Sequence, residues 1–519
     1  MIEFARTEHG MIAGEVFADG VAAFRGVPYA AAPKGPLRWR KPQPPARWAG
    51  TRPCRCFGPI SIQPLALPAS PLPFYPEAQD EDCLHLNIWT AAEAPGEQRP
   101  VIIWFHPGGY QFESGSAALF DGSNWARAGA VLVTFNHRLG LLGFLAHPAL
   151  SDEQGAEAGN YGLFDQIAVL CWVRANIAQF GGDPACVTLF GLSSGASSIS
   201  LLMASPHADG LFHRVIAESG GSFGPMSDTT GIGDCWQTRE SAERSGAAWA
   251  NALGVTTLEA LRELPADSIR ASTGLARDPR SGIFDGRRPF IGGHGLVAST
   301  SDRFRTGLQA QVPVLAGYAA REELFLGKAD AAASYRERAE SEFGTRSERF
   351  LRFYPAADAQ EAARSETRAT GHRLFTWQAW AMAMLHARSG HPVYLYRFEQ
   401  APPSTGDAGA FHGASIFYLF DRFGLRPDFA WRQEDHALSA SMIDAWMAFA
   451  RTGAPQSRLL PHWPRFDPQA PRAMRLREDS VVDQVCEQAA LNFWSEFYWL
   501  EPSSADALTR YQPRAFACN

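Results

Sequence analysis

The segment VTLFGLSSGASSIS, Val187 to Ser200, holds five serines in the eight residues from Ser193 onward, and only Ser193 has glycine two places to either side, Gly191 and Gly195. A serine hydroxyl attacks a carbonyl when a base takes its proton and donors receive the negative charge that forms on the carbonyl oxygen. The apolar run Val187–Phe190 reads as a strand, and the small residues after Gly195 suit a helix. Gly191-Leu192-Ser193-Ser194-Gly195 therefore has the strand–turn–helix setting that exposes a nucleophilic serine at a sharp turn. The turn strains the serine backbone and leaves no room for side chains at the two flanking positions, which is why both must be glycine. Ser194, Ser197, Ser198 and Ser200 read as small helix residues.

Donors for the developing charge are offered upstream. His106-Pro107-Gly108-Gly109-Tyr110 follows the apolar run Val101–Phe105, and the amides of Gly108 and Gly109 can turn inward, with the Ser194 amide as a third donor. Pro107 has no N–H to give. The competing reading is a plain glycine turn with His106 as a structural residue, and a lone G-x-S-x-G is weak in a Gly- and Ser-rich chain.

The elements that must hold these groups are those of a large α/β sheet. Short runs rich in β-branched residues, Leu86–Trp89, Val101–Phe105, Val131–Phe135, Val187–Phe190, Arg214–Ala217, Val312–Ala316 and Val393–Phe398, alternate with helical patterns. Several are apolar at consecutive positions, as strands covered on both faces are. Phe164, Ile167, Cys171 and Ala175 recur at helical spacing and predict one apolar stripe. The block Leu374–Met384 reads as core packing, with pocket lining as its alternative. A net charge of −7 over 519 residues gives no reason to expect nucleic acid. The basic run from Arg25 to Arg55 reads as a solvated surface with one or two ion-paired arginines. Eight scattered cysteines suggest neither a disulfide framework nor a zinc site, and free thiols in a cytoplasm are expected. The N-terminal residues do not read as a secretory signal, and no apolar run approaches the ~20 residues that span a bilayer.

Further motifs resemble the type-B carboxylesterase family, which includes bacterial para-nitrobenzyl esterases, animal carboxylesterases and cholinesterases. They are Gly159-Asn160-Tyr161-Gly162-Leu163-Phe164-Asp165-Gln166, then Phe180-Gly181-Gly182-Asp183-Pro184, then GLSSG, with FRGVPYAAAP, EDCLHLNIW, NHRLGLLGFL, WMAFARTGAPQ and HWPRFDP along nearly the whole chain. The resemblance implies an α/β-hydrolase fold over residues 1–519, with insertions near 63–79, 224–300 and 325–385 forming a gorge. It implies a cofactor-free, metal-free serine hydrolase of small carboxylic esters, with chain order Ser, acid, His.

Carried over by local match, the acid falls in VPVLAGYAAREELFL at Glu322, with Glu323 competing for the assignment. The histidine falls in GAFHGASIFYLF at His412. Ser193, Glu322 and His412 are thus implied as the catalytic residues, with Gly108, Gly109 and Ser194 as the oxyanion hole. Ser415 replaces the family's acidic residue three places after the histidine, and Leu192 replaces a glutamate beside the nucleophile, making the floor of the site more apolar. The resemblance also implies ion pairs Arg38–Glu81 and Arg138–Asp165, and a hydrogen bond from Ser219 to the acid. Cys83 matches a half-cystine whose partner position is Ser61, so that bridge is expected to be absent, with Cys56 as the alternative partner. Carbamate or amide hydrolysis is the rival within this chemistry. A non-catalytic binding protein is the rival outside it, and the presence of Ser193, Glu322 and His412 weighs against that reading.

Overall fold

The computed structural model describes residues 1–65, 72–73, 77–224, 226–227, 236–273, 288–293, 295–296, 298–323 and 335–499. Much of the expected insertions, notably 66–71, 228–235, 274–287 and 324–334, lies outside the described residues.

An eleven-stranded sheet organises the chain. Its strands are β1 (Glu15–Val16), β2 (Ala22–Pro28), β3 (His85–Thr90), β4 (Arg99–Phe105), β5 (Val131–Phe135), β6 (Gly182–Leu192), β7 (Arg214–Glu218), β8 (Val314–Ala319), β9 (Val393–Phe398), β10 (Arg472–Leu476) and β11 (Val481–Gln484). They lie in the order β11-β10-β9-β8-β7-β6-β4-β5-β3-β2-β1. The central pairings from β5 across to β10 are parallel, while β1, β2, β3 and β11 run antiparallel at the two margins. This is the α/β-hydrolase architecture, with helices covering both faces.

All seven expected strands are present; five have shifted limits, and two of those shifts have a clear physical cause. β6 begins at Gly182 because its half-exposed start pairs Gly182 with Arg99, whereas the apolar signal marks only its buried end. β8 begins at Val314 because Pro313 has no N–H for the ladder.

Alternation along each strand divides the core in two. Ile103 and Phe105 of β4 face a layer that includes helix α1 (Tyr161–Asn176) and α2 (Ser194–Ala204), whereas Ile102 and Trp104 face the opposite layer. That second layer is closed by Met442, Ala445, Trp446 and Phe449, from a long helix at Gln433–Thr452. The single stripe expected of α1 is not what forms. Leu163, Leu170, Trp172 and Val173 are buried as well, and Ala175 is exposed. A helix apolar on most of its circumference is covered on most of it.

Ion pairs fasten the loops to this sheet. Arg138 bonds Asp165 through Nε at 2.8 Å and Nη2 at 2.6 Å, with both side chains buried. Arg38 bonds Glu81 at 2.7 and 2.5 Å and also donates to the carbonyls of Arg262 and Leu264. The basic N-terminal run is more fully paired than its composition suggests. Arg25 with Glu15, Arg40 with Glu153, Lys41 with Glu157 and Arg55 with Glu3 all join it. Acids from distant segments meet it, which spacing along the chain does not reveal.

Cys83 is free and fully buried, its thiol pushed up to about 12 chiefly by burial. Cys54, Cys56, Cys186 and Cys486 are also free. The expectation of free thiols throughout fails at Cys171, which is disulfide-bonded. Cys171 is half-buried on α1, and no local spacing motif announces a bridge there. Among the described residues no helix is long and apolar enough to cross a membrane, and no cluster of His, Cys, Asp and Glu is arranged to hold a metal ion.

Candidate active site

The end of β6 and the start of α2 meet at Ser193. Its backbone sits at φ 58° and ψ −121°, a conformation that costs a non-glycine residue on the order of 1–3 kcal/mol and persists only where surroundings impose it. The surroundings are legible. A Cβ on Gly191 would stand 2.6 Å from the Gly195 carbonyl carbon, and a Cβ on Gly195 would stand 2.0 Å from the Phe105 oxygen. The two glycines thus let the helix start pack directly on its own strand and on the end of β4. The Ser193 N–H donates to the Glu218 carbonyl at 2.9 Å, which fixes the turn to β7. The serines that follow are tied down: Ser197 Oγ donates to the Gly221 carbonyl, Ser198 Oγ accepts from Gln166, and Ser200 Oγ meets Ser222 Oγ at 2.6 Å.

The glycine loop after β4 lies beside this turn, since Gly195 abuts both Phe105 and His106. Gly108 at φ 114° and Gly109 at φ 60° take backbone conformations that side chains resist, and a Cβ on Gly108 would fall 2.0 Å from the Phe112 oxygen. The N–H groups of Gly108 and Gly109 donate to no acceptor among the described residues. Ser194 is the first residue of α2, where an N–H has no intrahelical partner. His106 is structural here. Burial, aided by stacked His137, lowers it to about 3, and its Nδ1 lies 2.8 Å from the Pro107 carbonyl oxygen.

Opposite these groups, His412 Nδ1 lies 2.6 Å from Glu322 Oε2. Glu322 is 1% exposed, and its other oxygen accepts the Ala319 N–H at 2.7 Å. The adjacent Glu323 turns away to Arg321 at 2.7 Å, so only one of the two neighbouring carboxylates reaches the histidine. Gly413, the residue after His412, is packed on the turn that bears Ser193. A Cβ on it would stand 3.0 Å from Leu192 Cδ2. A π-helical turn at His372–Thr376 sets the Phe375 ring 4.2 Å from the imidazole, centre to centre. The aromatic block around it thus serves both readings given for it: Trp377 and Trp380 are core, and Phe375 lines the site.

A family model for carboxylesterases matches residues 3–494. The chain belongs to the carboxylesterase family. It is 35% identical to a fumonisin B1 esterase of Sphingopyxis macrogoltabida, over 89% of this chain and 84% of that protein. It is 31% identical to the para-nitrobenzyl esterase of Bacillus subtilis, over 93% and 96%. A phenmedipham hydrolase of Pseudarthrobacter oxydans is 33% identical, over 92% and 95%. A solved para-nitrobenzyl esterase structure superposes with a TM-score of 0.82 at 28% identity, covering 97% of this chain and all of that one. The protein is a carboxylic ester hydrolase.

Behind the histidine, this esterase departs from what the resemblance implies. Ser219 does not bond the acid: among the described residues its buried Oγ has no hydrogen-bond partner, and its backbone sits at φ 53°. Its N–H donates to the Gly317 carbonyl at 2.8 Å. Ser415 brings a hydroxyl where the resemblance implies an acid. Its hydroxyl bonds the carboxyl of Glu218, which is fully buried and also bonded by Tyr396 Oη at 2.8 Å. Burial, opposed by these two hydroxyls and reinforced by the Glu322 charge, pushes Glu218 up to about 7. Leu192, expected to make the floor of the site more apolar, has no exposed surface. It is fully buried in the second core layer, beneath the histidine loop. Glu218 and Tyr396 are the members of this neighbourhood that sequence reading missed. The glutamate directly before Ser219 was the available signal.

Proposed function

We propose that this esterase works through an acyl-enzyme formed on Ser193. His412 takes the hydroxyl proton as Ser193 attacks the acyl carbon, and Glu322 holds the imidazole and stabilises its charged form. The amides of Gly108, Gly109 and Ser194 receive the charge on the tetrahedral oxygen. His412 then protonates the departing alcohol, and water repeats the sequence to release the acid. The observation that carries this reading is the 2.6 Å bond between His412 and buried Glu322, beside a serine held in a strained turn. The Gly108 and Gly109 N–H groups, without acceptors among the described residues, support the same assignment.

The whole chain is read as one hydrolase unit, and its substrate as a small, neutral, apolar ester. Phe375 against the imidazole and the absence of a carboxylate at Leu192 favour uncharged groups over cationic ones. Ser193→Ala, assayed with an activated aryl ester and with a fluorophosphonate probe, is expected to fold, to lose turnover and to escape labelling. Near-wild-type turnover by that folded variant refutes the assignment. A panel of graded acyl chain lengths, bulky aryl esters, carbamates and amides then ranks the leaving groups.

A further inference from the structure

Glu218 takes no part in the proposed chemistry, yet it touches both halves of it. Its carbonyl accepts the N–H of Ser193 at 2.9 Å. Its carboxyl is bonded by Ser415, the first residue of the short helix Ser415–Leu419, three residues beyond His412. The third contact, from Tyr396 at 2.8 Å, crosses an entire strand. Glu218 pairs with Gly317 of β8, and Gly317 pairs with Tyr396 of β9. A Cβ on Gly317 would fall 2.1 Å from the Tyr396 ring, so only glycine lets the phenol pass over β8 to reach β7. Leu192, Glu218, Gly317 and Tyr396 thus form one row across four neighbouring strands, all on one face.

The rest of that face is apolar, including Phe190, Ile216 and Leu315. Burying a carboxyl there is unfavourable unless its hydrogen bonds are made. A hydrocarbon side chain would fill the space as well. What the carboxyl adds is a pair of directed bonds, one to the sheet and one to the loop that bears the histidine. Asp435, the other buried acid of this layer, does not share the task, being bonded to Tyr418, Gln400 and Arg432.

We infer that Glu218 is a positioning residue, holding the spacing between Ser193 and His412 by joining the nucleophile's backbone to the histidine loop through Ser415, with Tyr396 bracing its carboxyl from β9. The inference rests on the roles proposed for Ser193 and His412. It separates two functions of a buried glutamate, filling and tethering, by what each hydroxyl contributes.

The test combines steady-state kinetics on a neutral aryl ester, the rate of inactivation by a fluorophosphonate, and the melting temperature. Misplacing reacting groups by a fraction of an ångström to 1 Å costs roughly ten- to a hundredfold in rate. Ser415→Ala is therefore expected to lower kcat and the inactivation rate about tenfold, with KM within about twofold and melting little changed. Tyr396→Phe should lower kcat less, about threefold. Glu218→Gln, whose amide still accepts from Ser415 and donates to Tyr396, should stay within about threefold of wild type. Glu218→Leu should fall as far as Ser415→Ala, and the double variant no further, because both remove one tether. If Glu218→Leu does not fold, Ser415→Ala and Tyr396→Phe still decide, since each removes only a hydroxyl. A folded Ser415→Ala with wild-type kcat overturns the inference, as does a loss confined to KM. An active Ser193→Ala instead overturns the chemistry on which the inference stands, so the two failures are distinguishable.

Discussion

Leu192→Glu puts a carboxyl back beside the nucleophile, and the structure says what that would do. Leu192 has no exposed surface and stands in register with Glu218 on the same face of the sheet, under Gly413. Removing the leucine side chain from that layer forfeits about 2 kcal/mol of apolar burial. The new carboxyl would stand in an apolar layer with a second carboxyl, Glu218, next to it. It must therefore fold in its protonated form. Keeping a glutamic acid protonated costs about 1.4 kcal/mol for each pH unit above its unfolded value near 4.3, hence about 5 kcal/mol at pH 8 and about 2 at pH 5.5. The folded value is raised, so the variant's stability falls as pH rises. Leu192→Glu should lose about 7 kcal/mol at pH 8 but only about 4 at pH 5.5. Leu192→Gln should show no such pH gradient. Urea unfolding of wild type and both variants at the two pH values measures this. Equal pH sensitivity of the Glu and Gln variants would refute the argument, because the carboxyl would then have reached water. The same variant bears on substrate charge, since the ratio of cationic to neutral ester turnover should rise only where that carboxyl ionises beside the imidazolium.

Two more perturbations probe the frame around the site. Glu113, buried in the loop after Gly109, is raised to about 8 by burial, with backbone bonding from Ser114 opposing and nearby Glu77 reinforcing. Its folded value exceeds the unfolded one, so its contribution is greatest in acid and is lost as pH rises through 8. Glu113→Gln should gain stability relative to wild type between pH 5 and pH 9, by about 4 kcal/mol, and a flat difference in urea midpoints would contradict this. Asp165→Asn leaves Arg138 buried and uncompensated, and should destabilise by about 3–5 kcal/mol, whereas Asp19→Asn at the exposed Arg127 pair should cost less than about 1. Similar melting shifts in the two variants would count against that distinction.

Part of the proposed site was legible in the sequence from motifs with a local steric cause. Ser193 is marked by glycines that a turn between strand and helix requires, and Gly108 and Gly109 by a backbone that must turn inward. His412 and Glu322 were reached through family resemblance, and the choice between Glu322 and Glu323 needed the coordinates. Adjacent side chains at the end of a strand leave in different directions, and only packing decides that one finds the histidine and the other finds Arg321. The strands at the centre announced themselves through consecutive apolar residues, because both faces are covered. The short marginal strands, half polar and pairing antiparallel, gave no comparable signal.

What only the tertiary structure decided lies across strands. Glu218 and Tyr396 are 178 residues apart and meet over Gly317, a contact set by register and by the absence of one Cβ. Ser415, read from sequence as the loss of an acid, instead bonds an acid supplied by the sheet. Leu192, read as making the floor of the site more apolar, is fully buried in the core. Sequence determines which groups are present and which local turns they impose. The direction in which a buried side chain points depends on neighbours that the chain brings together only by folding.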